Sequence, residues 1–486
     1  MRPSVPTRVH QFLAAPRRVL LALLLATLAV ALRDAGAPAP VTATVQPVPF
    51  ASDALLVQPR PGLSLATLAA GLRLQGYVVQ AGVGDSGAAG SGAVRVAVPA
   101  GTDPRALADA IASGGLARGV EPDGLVRAAV VPNDLRYSAQ SDYLETIRAP
   151  AAWDRATGDG ETVIAIVDSG LDYNHPEFVG RIAINDADHL GNGRDDDGNG
   201  CVDDIAGCNF VSPNTADPSC GYVQAAPNWR AWDDAGHGTV VAGIAAAAGN
   251  DEVGVTGVAW NARILPVKVL DCTSVGRIST AAAGIRYAAD RGAHVINISL
   301  GTPQDSPVLR EAVEYAQRAG ALIVASAGNV PGVVTFPGAY PGVIAVGASG
   351  ALDAGVVDYL RTAPFSGDGP SLDLLAPGVL IAGPLPPSLC DEFGWQCENG
   401  PYTRVSGSSF AAALVTGAAA LLRDQHPGLQ GPLLRSQLLR SLQAASDGGL
   451  GVLDLAAALE APLYGVELPG TARTDAREPS APRSLP

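Results

Sequence analysis

From Glu161 onward the chain alternates two textures. Short runs that are apolar at successive positions, "ETVIAIVDSG", "ARILPVKVLD", "AHVINISLG", "ALIVASAGN" and "GVIAVGAS", are separated by segments of helical period such as Arg277 to Arg291 and Ser306 to Ala319. Continuous apolar runs suit strands covered on both faces, and their alternation with helices predicts a parallel sheet with right-handed crossovers. Residues 131–462 therefore read as one α/β domain, a doubly wound parallel sheet flanked by helices, with ligand groups expected at the carboxyl ends of the strands. Residues 50–130 carry a different pattern. A strand-like run at Ala54 to Val57 leads to a helical period from Leu63 to Leu74 and a Gly-rich break. Then come the alternating "AVRVAVP", a second helix from Pro104 to Ile111, and "VEPDGLVRAAV". That is a small α+β unit, separated from the larger one by the polar, turn-rich "VPNDLRYSAQSDYLETIRAPAAWD". Residues 463–486 lack apolar periodicity and read as a disordered tail.

The first 37 residues have a third texture. Arg2, Arg8, Arg17 and Arg18 precede an unbroken apolar stretch from Val19 to Leu32, followed by small residues at Ala35 to Ala37. The stretch is too short for a bilayer that needs about twenty residues, so residues 1–37 read as a cleaved export signal. The mature protein is expected outside the cell, or in the periplasm or cell envelope, with no transmembrane segment. All six cysteines lie beyond this signal, and an even number in an exported chain predicts disulfides. Cys390 and Cys397 bracket a short loop and are expected to pair; Cys201, Cys208, Cys220 and Cys272 leave three connectivities open. A formal charge of -15 and a pI near 4.8 argue against nucleic acid or an anionic membrane as the main partner.

Candidate chemistry begins at "RVSGSSFAAALVTGAAALL", where two serines stand ahead of a long apolar run. Gly-Ser-Ser there reads either as a helix cap or as a nucleophile at a helix N-terminus, and a nucleophile needs a base and an orienting acid. Of six histidines, His237 in "DDAGHGTVVAGIAAAAG" lies between glycines just before an apolar helix, where the imidazole can project from a turn. His10 belongs to the signal, His426 to a helix stop, His294 to a strand, and His175 and His189 to loops. Asp168 ends the apolar run "VIAIVDSG", so its carboxylate emerges at a strand tip. The chain order Asp168, His237, Ser409 is one of the known orders of a serine-protease triad.

The blocks "VIAIVDSGLDYNHPEF", "DDAGHGTVVAGIAA", "VINISLG", "ASAGN", "YPGVIAVGAS", "FSGDGPSLDLLAPGV" and "SGSSFAAALVTGAAALL" resemble, in the same order, those of subtilisin-like serine proteases, the subtilase or S8 peptidase family. The resemblance spans roughly residues 133 to 460. It implies Ser409 as nucleophile, His237 as general base and acid, Asp168 as the residue orienting the imidazole, and Asn329 as an oxyanion donor. Ser408 stands where the family usually has threonine, Phe410 where it has methionine, and Ala413-Leu414 where it has Pro-His. It further implies that Ser274, Val275 and Gly276 and then Ser299, Leu300 and Gly301 form two edges for an extended polypeptide substrate. Ala325, Ser326, Ala327 and Gly328 would line a roomy apolar pocket for the residue before the cut.

The loop "NDADHLGNGRDDDGNGCVDD" carries seven Asp residues, and Asp195-x-Asp197-x-Asn199-Gly200 repeats the first half of an EF-hand loop. Similar inserts in subtilisin-like enzymes bind calcium, so a structural Ca²⁺ held by Asp195, Asp197, Asn199, Asp203 and Asp204 is expected. By position and pattern residues 50–130 resemble the family's inhibitory propeptides, which implies a zymogen that cleaves itself between about Ala128 and Asn133. A monomer is expected. The alternatives are a catalytically inactive subtilase-fold module that binds peptides or proteins, and an acidic calcium-dependent adhesion module. The second explains the Asp loop but not the triad.

Overall fold

The computed structural model describes residues 54–83, 92–99, 102–123, 130–189, 191–222, 224, 226–390 and 395–461. The expected signal and tail, and Ala128 and Ala129 of the expected self-cleavage stretch, lie outside the described residues. The chain divides into two units, one within residues 40–129 and one from Val130 onward.

The smaller unit comprises β1 (Ala54–Pro59), α1 (Leu65–Leu74), β2 (Val79–Val83), β3 (Ala93–Ala97), α2 (Pro104–Ser113) and β4 (Ala117–Pro122). Its sheet is antiparallel with order β2-β3-β1-β4. Alternate strand residues Leu55, Val57, Val94 and Val96 meet Leu68, Leu72 and Ile111 from the helices in one core. Ser64 caps α1 by accepting the Thr67 N–H at 3.1 Å. β2 escapes the sequence pattern because its apolar residues run directly into the Gly-rich break.

The larger unit is built on the predicted runs. β5 (Val163–Asp168), β6 (Cys208–Asn209), β7 (Arg263–Lys268), β8 (Val295–Ile298), β9 (Leu322–Ser326), β10 (Ile344–Asp353), β11 (Val356–Thr362) and β12 (Leu374–Pro377) form one sheet. The order is β11-β10-β9-β8-β5-β7-β6, with β12 also paired to β10. All its pairs are parallel except β10 with β11. That exception differs from the all-parallel expectation. Ala354 and Gly355 take φ of 47° and 86°, a two-residue turn with both φ positive, and such a turn folds the strand back as a hairpin.

Helices α3 (Ser141–Thr146), α4 (Ala149–Trp153), α5 (His237–Ala246), α6 (Ile278–Asp290), α7 (Pro307–Arg318), α8 (Ser408–Gln425), α9 (Gly431–Leu439) and α10 (Leu455–Glu460) complete the unit. The two-residue period of β5 explains their placement. Ile164 and Ile166 face a core shared with α5 and α8, while Ala165 and Val167 face a core shared with α6 and α7. A strand buried on both faces has no polar position to offer until its end, which is where Asp168 stands. β13 (Ile381–Pro384) and β14 (Tyr402–Val405) form a separate antiparallel pair that delivers the chain to α8.

Cysteines pair as Cys390–Cys397, as expected, and as Cys201–Cys208 and Cys220–Cys272, one of the three connectivities left open.

Helix α8 is buried from Ser408 to Leu422, and its contact with α5 depends on Gly417. A Cβ there would lie 2.6 Å from the Ala245 carbonyl oxygen and 2.6 Å from Val258 Cβ. Helix propensity alone would make Gly417→Ala stabilising by roughly 1 kcal/mol. Overpacking reverses the sign: Gly417→Ala is expected to destabilise by about 1–3 kcal/mol, read as a lower thermal midpoint. A raised midpoint would contradict this packing.

Candidate active site

Asp168 is fully buried at the C-terminal tip of β5. Its Oδ1 accepts the Ser169 N–H at 2.7 Å and faces His237 Nδ1 at 2.8 Å. Its Oδ2 is buried without a hydrogen-bond partner, so the compensation of this charge falls on one side. His237 opens α5, and Gly236 before it has φ of 89°, a conformation that favours glycine. Gly238 explains how the helix reaches the strand: a Cβ there would sit 2.3 Å from the Gly170 carbonyl oxygen and 3.2 Å from Asp168 Cβ. Burial works against a charged imidazole at His237, yet the charge and hydrogen bond of Asp168, with Asp233 behind it, outweigh burial and raise the His237 pKa.

The "DD" before "AGHG" carries a second carboxylate that the sequence reading did not single out. Asp233 Oδ1 accepts from Ser169 Oγ and from the Ala235 and Gly236 N–H groups, and its Oδ2 accepts from the N–H and hydroxyl of Thr239. It ties the turn after β5 to the first turn of α5. The relative orientation of Asp168 and His237 is thereby fixed from behind.

Ser409 lies in the first turn of α8. Its Oγ donates to the Ser299 carbonyl at 3.1 Å, and Ser299 Oγ in turn donates to the Ser409 carbonyl at 2.8 Å. Phe410, the next residue, packs its ring 5.4 Å from that of His237. Asn329 follows β9, and its Oδ1 accepts from the Ser408 N–H at 2.8 Å and the Ser408 hydroxyl at 3.0 Å. Ser408 Oγ also accepts the Gly328 N–H at 3.1 Å. With its carbonyl end anchored, Asn329 presents its amide Nδ2 on the other side. The position read as a threonine substitute is thus the clamp on the oxyanion candidate.

A cleft of ≈ 360 Å³ is lined by His237, Ser274, Val275, Gly276, Ser299, Leu300 and Gly301 among others. All six edge residues named from the sequence line the cleft that His237 also lines. Ala325 and Ala327 are fully buried and Ser326 nearly so. Ala325 belongs to the core on the α6 and α7 side. What this stretch turns toward neighbours is backbone: the Ala327 carbonyl accepts the Thr335 N–H at 3.0 Å and its N–H meets the Val346 carbonyl at 2.8 Å.

The subtilase family model matches residues 159–456. The chain belongs to the subtilase family. A thermophilic serine proteinase of Bacillus sp. (strain AK1) is 36% identical over 321 residues, 66% of this chain and 66% of that protein. Thermitase of Thermoactinomyces vulgaris is 35% identical over 295 residues, 60% of this chain and 86% of thermitase. The chain thus spans just under two thirds of the first of these relatives. A protease structure from Pseudoalteromonas arctica PAMC 21717 superposes with TM-score 0.51 and 28% identity over 68% of this chain and 99% of that one. Fervidolysin of Fervidobacterium pennivorans, a keratinolytic enzyme related to subtilisin, superposes with TM-score 0.54 and 24% identity over 86% of this chain and 62% of that one, a likeness of fold.

The acidic loop departs from expectation. Subtilases commonly bind structural calcium, but the five oxygens proposed as ligands do not form a cage here. Asp195 accepts the N–H groups of Gly198, Asn199 and Gly200. Asp197 accepts from Asn199 and from Asn185 Nδ2. Asp203 accepts the N–H groups of Asn192 and Gly193. Asp204, buried, is met by Arg291, Tyr287, Asn185 and Asn199. Among the described residues no three His, Cys, Asp or Glu side chains are placed to hold a metal ion. The EF-hand spacing is present, but its carboxylates are engaged by N–H and O–H donors, so the set Asp195, Asp197, Asn199, Asp203 and Asp204 is not an assembled site.

A general base must be neutral to take a proton, so if His237 is that base its raised pKa puts the acidic limb of kcat/KM above the ordinary value of 6.5. Asp168→Asn removes the largest interactions that raise it, keeps the smaller pull of Asp233, and leaves the burial that lowers it. The expected result is a limb shifted to lower pH together with a fall in kcat of about 10⁴. The pH profile of kcat/KM checks both, and an unmoved limb would contradict the assigned coupling.

Proposed function

We propose that this chain is a secreted serine endopeptidase, made as a zymogen, that cleaves polypeptides through an acyl-enzyme on Ser409. The observation that carries the reading is the 2.8 Å Asp168–His237 bond, with the Ser409 hydroxyl on the Ser299 carbonyl of the cleft that His237 lines. In the resting state the hydroxyl donates to Ser299, so attack begins when it turns to the imidazole. Ser409 Oγ bonds to the scissile carbonyl carbon as its proton passes to His237 Nε2, and Asp168 stabilises the resulting imidazolium. Charge then gathers on the former carbonyl oxygen, where Asn329 Nδ2 and the Ser409 N–H at the start of α8 would donate. His237 returns the proton to the leaving amine as the C–N bond breaks, and a water repeats the sequence to release the acid. Calcium is given no step.

An extended substrate would lie between the Ser274–Gly276 and Ser299–Gly301 edges, paired through its main chain. Preference for a large apolar residue before the cut follows from the small residues of "ASAG". Secretion is supported by the family's general habit and by the arginine-flanked apolar N-terminus; no helix among the described residues is long and apolar enough to cross a membrane. The small α+β unit is assigned the part of propeptide, and the mature enzyme that of a monomer.

A serine-directed fluorophosphonate should label the purified protein, and Ser409→Ala should abolish labelling and retain the leader unit. Leader removal from purified Ser409→Ala would refute self-processing. Asn329→Ala is expected to lower kcat by about 10² to 10³ with little change in KM. Ser408→Ala should fall in the same direction but less, and Ser408→Thr should restore it; equal kcat in all three would remove the clamp from the mechanism.

A further inference from the structure

The edge Ser274–Gly276 is not itself a strand of the sheet. It belongs to a tight hairpin beyond β7, in which Asp271 N–H donates to the Val275 carbonyl and Ser274 N–H to the Asp271 carbonyl, both at 2.9 Å. Ser274 takes φ of 59°, a left-handed conformation costly for a residue with a Cβ. Val275 is 62% exposed. Gly276 presses so closely on the end of β7 that a Cβ would lie 2.5 Å from the Val269 carbonyl oxygen. Such a hairpin needs support from outside the sheet.

The support comes from the segment 212–222, at three points. Cys220 is bonded to Cys272 across 52 positions. Buried Asp271 turns one oxygen outward to accept the Asp217 N–H at 2.8 Å and the other inward to Thr273 and the Val275 N–H. Arg277 Nε, just past the edge, donates to the Thr215 carbonyl at 3.1 Å. Burial alone would raise the Asp271 pKa, but these donors outweigh it and hold it below the usual carboxylate range. A covalent link and a charge-assisted one therefore converge on the two residues that open the hairpin.

We propose that the Cys220–Cys272 bridge, acting through Asp271, is a positioning device for the substrate-facing edge, governing capture of extended polypeptides and not the chemistry at Ser409. This rests on the protease reading above. An edge held in its bound conformation loses less freedom when a substrate strand pairs with it, and that saving grows with the number of substrate residues that pair. A short substrate that reaches only Ser409 and His237 does not draw on it.

The test uses the full processed chain carrying Cys220→Ser with Cys272→Ser. A second double variant, Cys390→Ser with Cys397→Ser, controls for losing a disulfide as such. Fluorophosphonate titration and the burst with p-nitrophenyl acetate report the catalytic groups. KM and kcat are then measured on anilide substrates carrying one to four residues before the cut. The expected result is full titration, kcat within about twofold, and a KM raised roughly 3- to 30-fold for the four-residue substrate but not for the one-residue substrate. Asp217→Pro, at a position whose φ of −63° suits proline, deletes the N–H donated to Asp271 along with the carboxylate that caps Ser219; with Asp217→Ala, which loses only the carboxylate, as its reference, it should give a smaller rise of the same kind. It carries the test if the double variant does not accumulate. A KM change independent of substrate length, no change, or an equal length-dependent change in the Cys390/Cys397 control overturns the proposal. Wild-type protein that neither titrates nor shows a burst overturns instead the reading on which it rests.

Discussion

A carboxylate with no exposure to solvent sits at the centre of this molecule, and its surroundings are explained by the need to compensate it. An isolated buried charge is costly enough that the group would neutralise instead. Asp168 receives one backbone N–H and one imidazole on a single oxygen. That arrangement requires α5 to begin within side-chain reach of the end of β5, which only the bare Gly238 allows. Asp233, itself almost fully buried, binds both partners' turns at once. Removing either carboxylate would therefore disturb the other, so the acid–base pair and the local fold are one energetic unit.

A second polar chain sets Ser409, the proposed nucleophile. Thr416 on α8 donates to Asn297 Oδ1 at 2.8 Å, Asn297 Nδ2 donates to Ser299 Oγ at 2.9 Å, and Ser299 Oγ donates to the Ser409 carbonyl. Asn297 is fully buried between β8 and α8, where an unsatisfied amide would cost about 1–3 kcal/mol. Satisfying it fixes the rotation of α8 about its axis and hence the direction of Ser409. The apolar residues of α8 supply the burial energy, but they are mostly alanine and specify that rotation weakly. The hydrogen-bonded chain supplies the specificity that packing lacks.

Much of this was legible because burial writes itself into residue type. Asp168 and His237 stood out as polar residues at the ends of apolar runs, and the edge residues followed from family likeness. Asp233, Asn297 and Thr416 were not legible, since a polar residue inside a strand or helix has no signature of its partner until the fold brings the two together. The β10–β11 hairpin was hidden by a turn through Ala354, a residue type that does not announce a positive φ. In the acidic loop the EF-hand spacing leads to the expectation of a calcium site. Spacing does not say whether those oxygens converge on an ion or on the loop's own N–H groups, and here they take the N–H groups. The side chains of Ala325 and Ala327 are buried, so the wall they give the proposed pocket is backbone, which residue type does not announce.

Where the covalent bonds fall shows which parts of the site the core can hold unaided. Asp168 ends a strand and Ser409 opens a helix that are buried from both sides, Asn329 follows the buried strand β9 in an exposed bend, and no disulfide touches them. The two flanks are loops with few apolar residues, too little burial to offset their ordering entropy. Each has a bridge. Cys220–Cys272 fastens the hairpin on one flank. On the other, Cys390–Cys397 closes the loop that carries Trp395, whose Nε1 donates to the Ala235 carbonyl at 2.9 Å, two residues before His237. A cross-link of this kind stabilises chiefly by narrowing the unfolded ensemble. It therefore serves best where native contacts are fewest, and in this chain those are the places where the proposed substrate edge and His237 both need a fixed backbone.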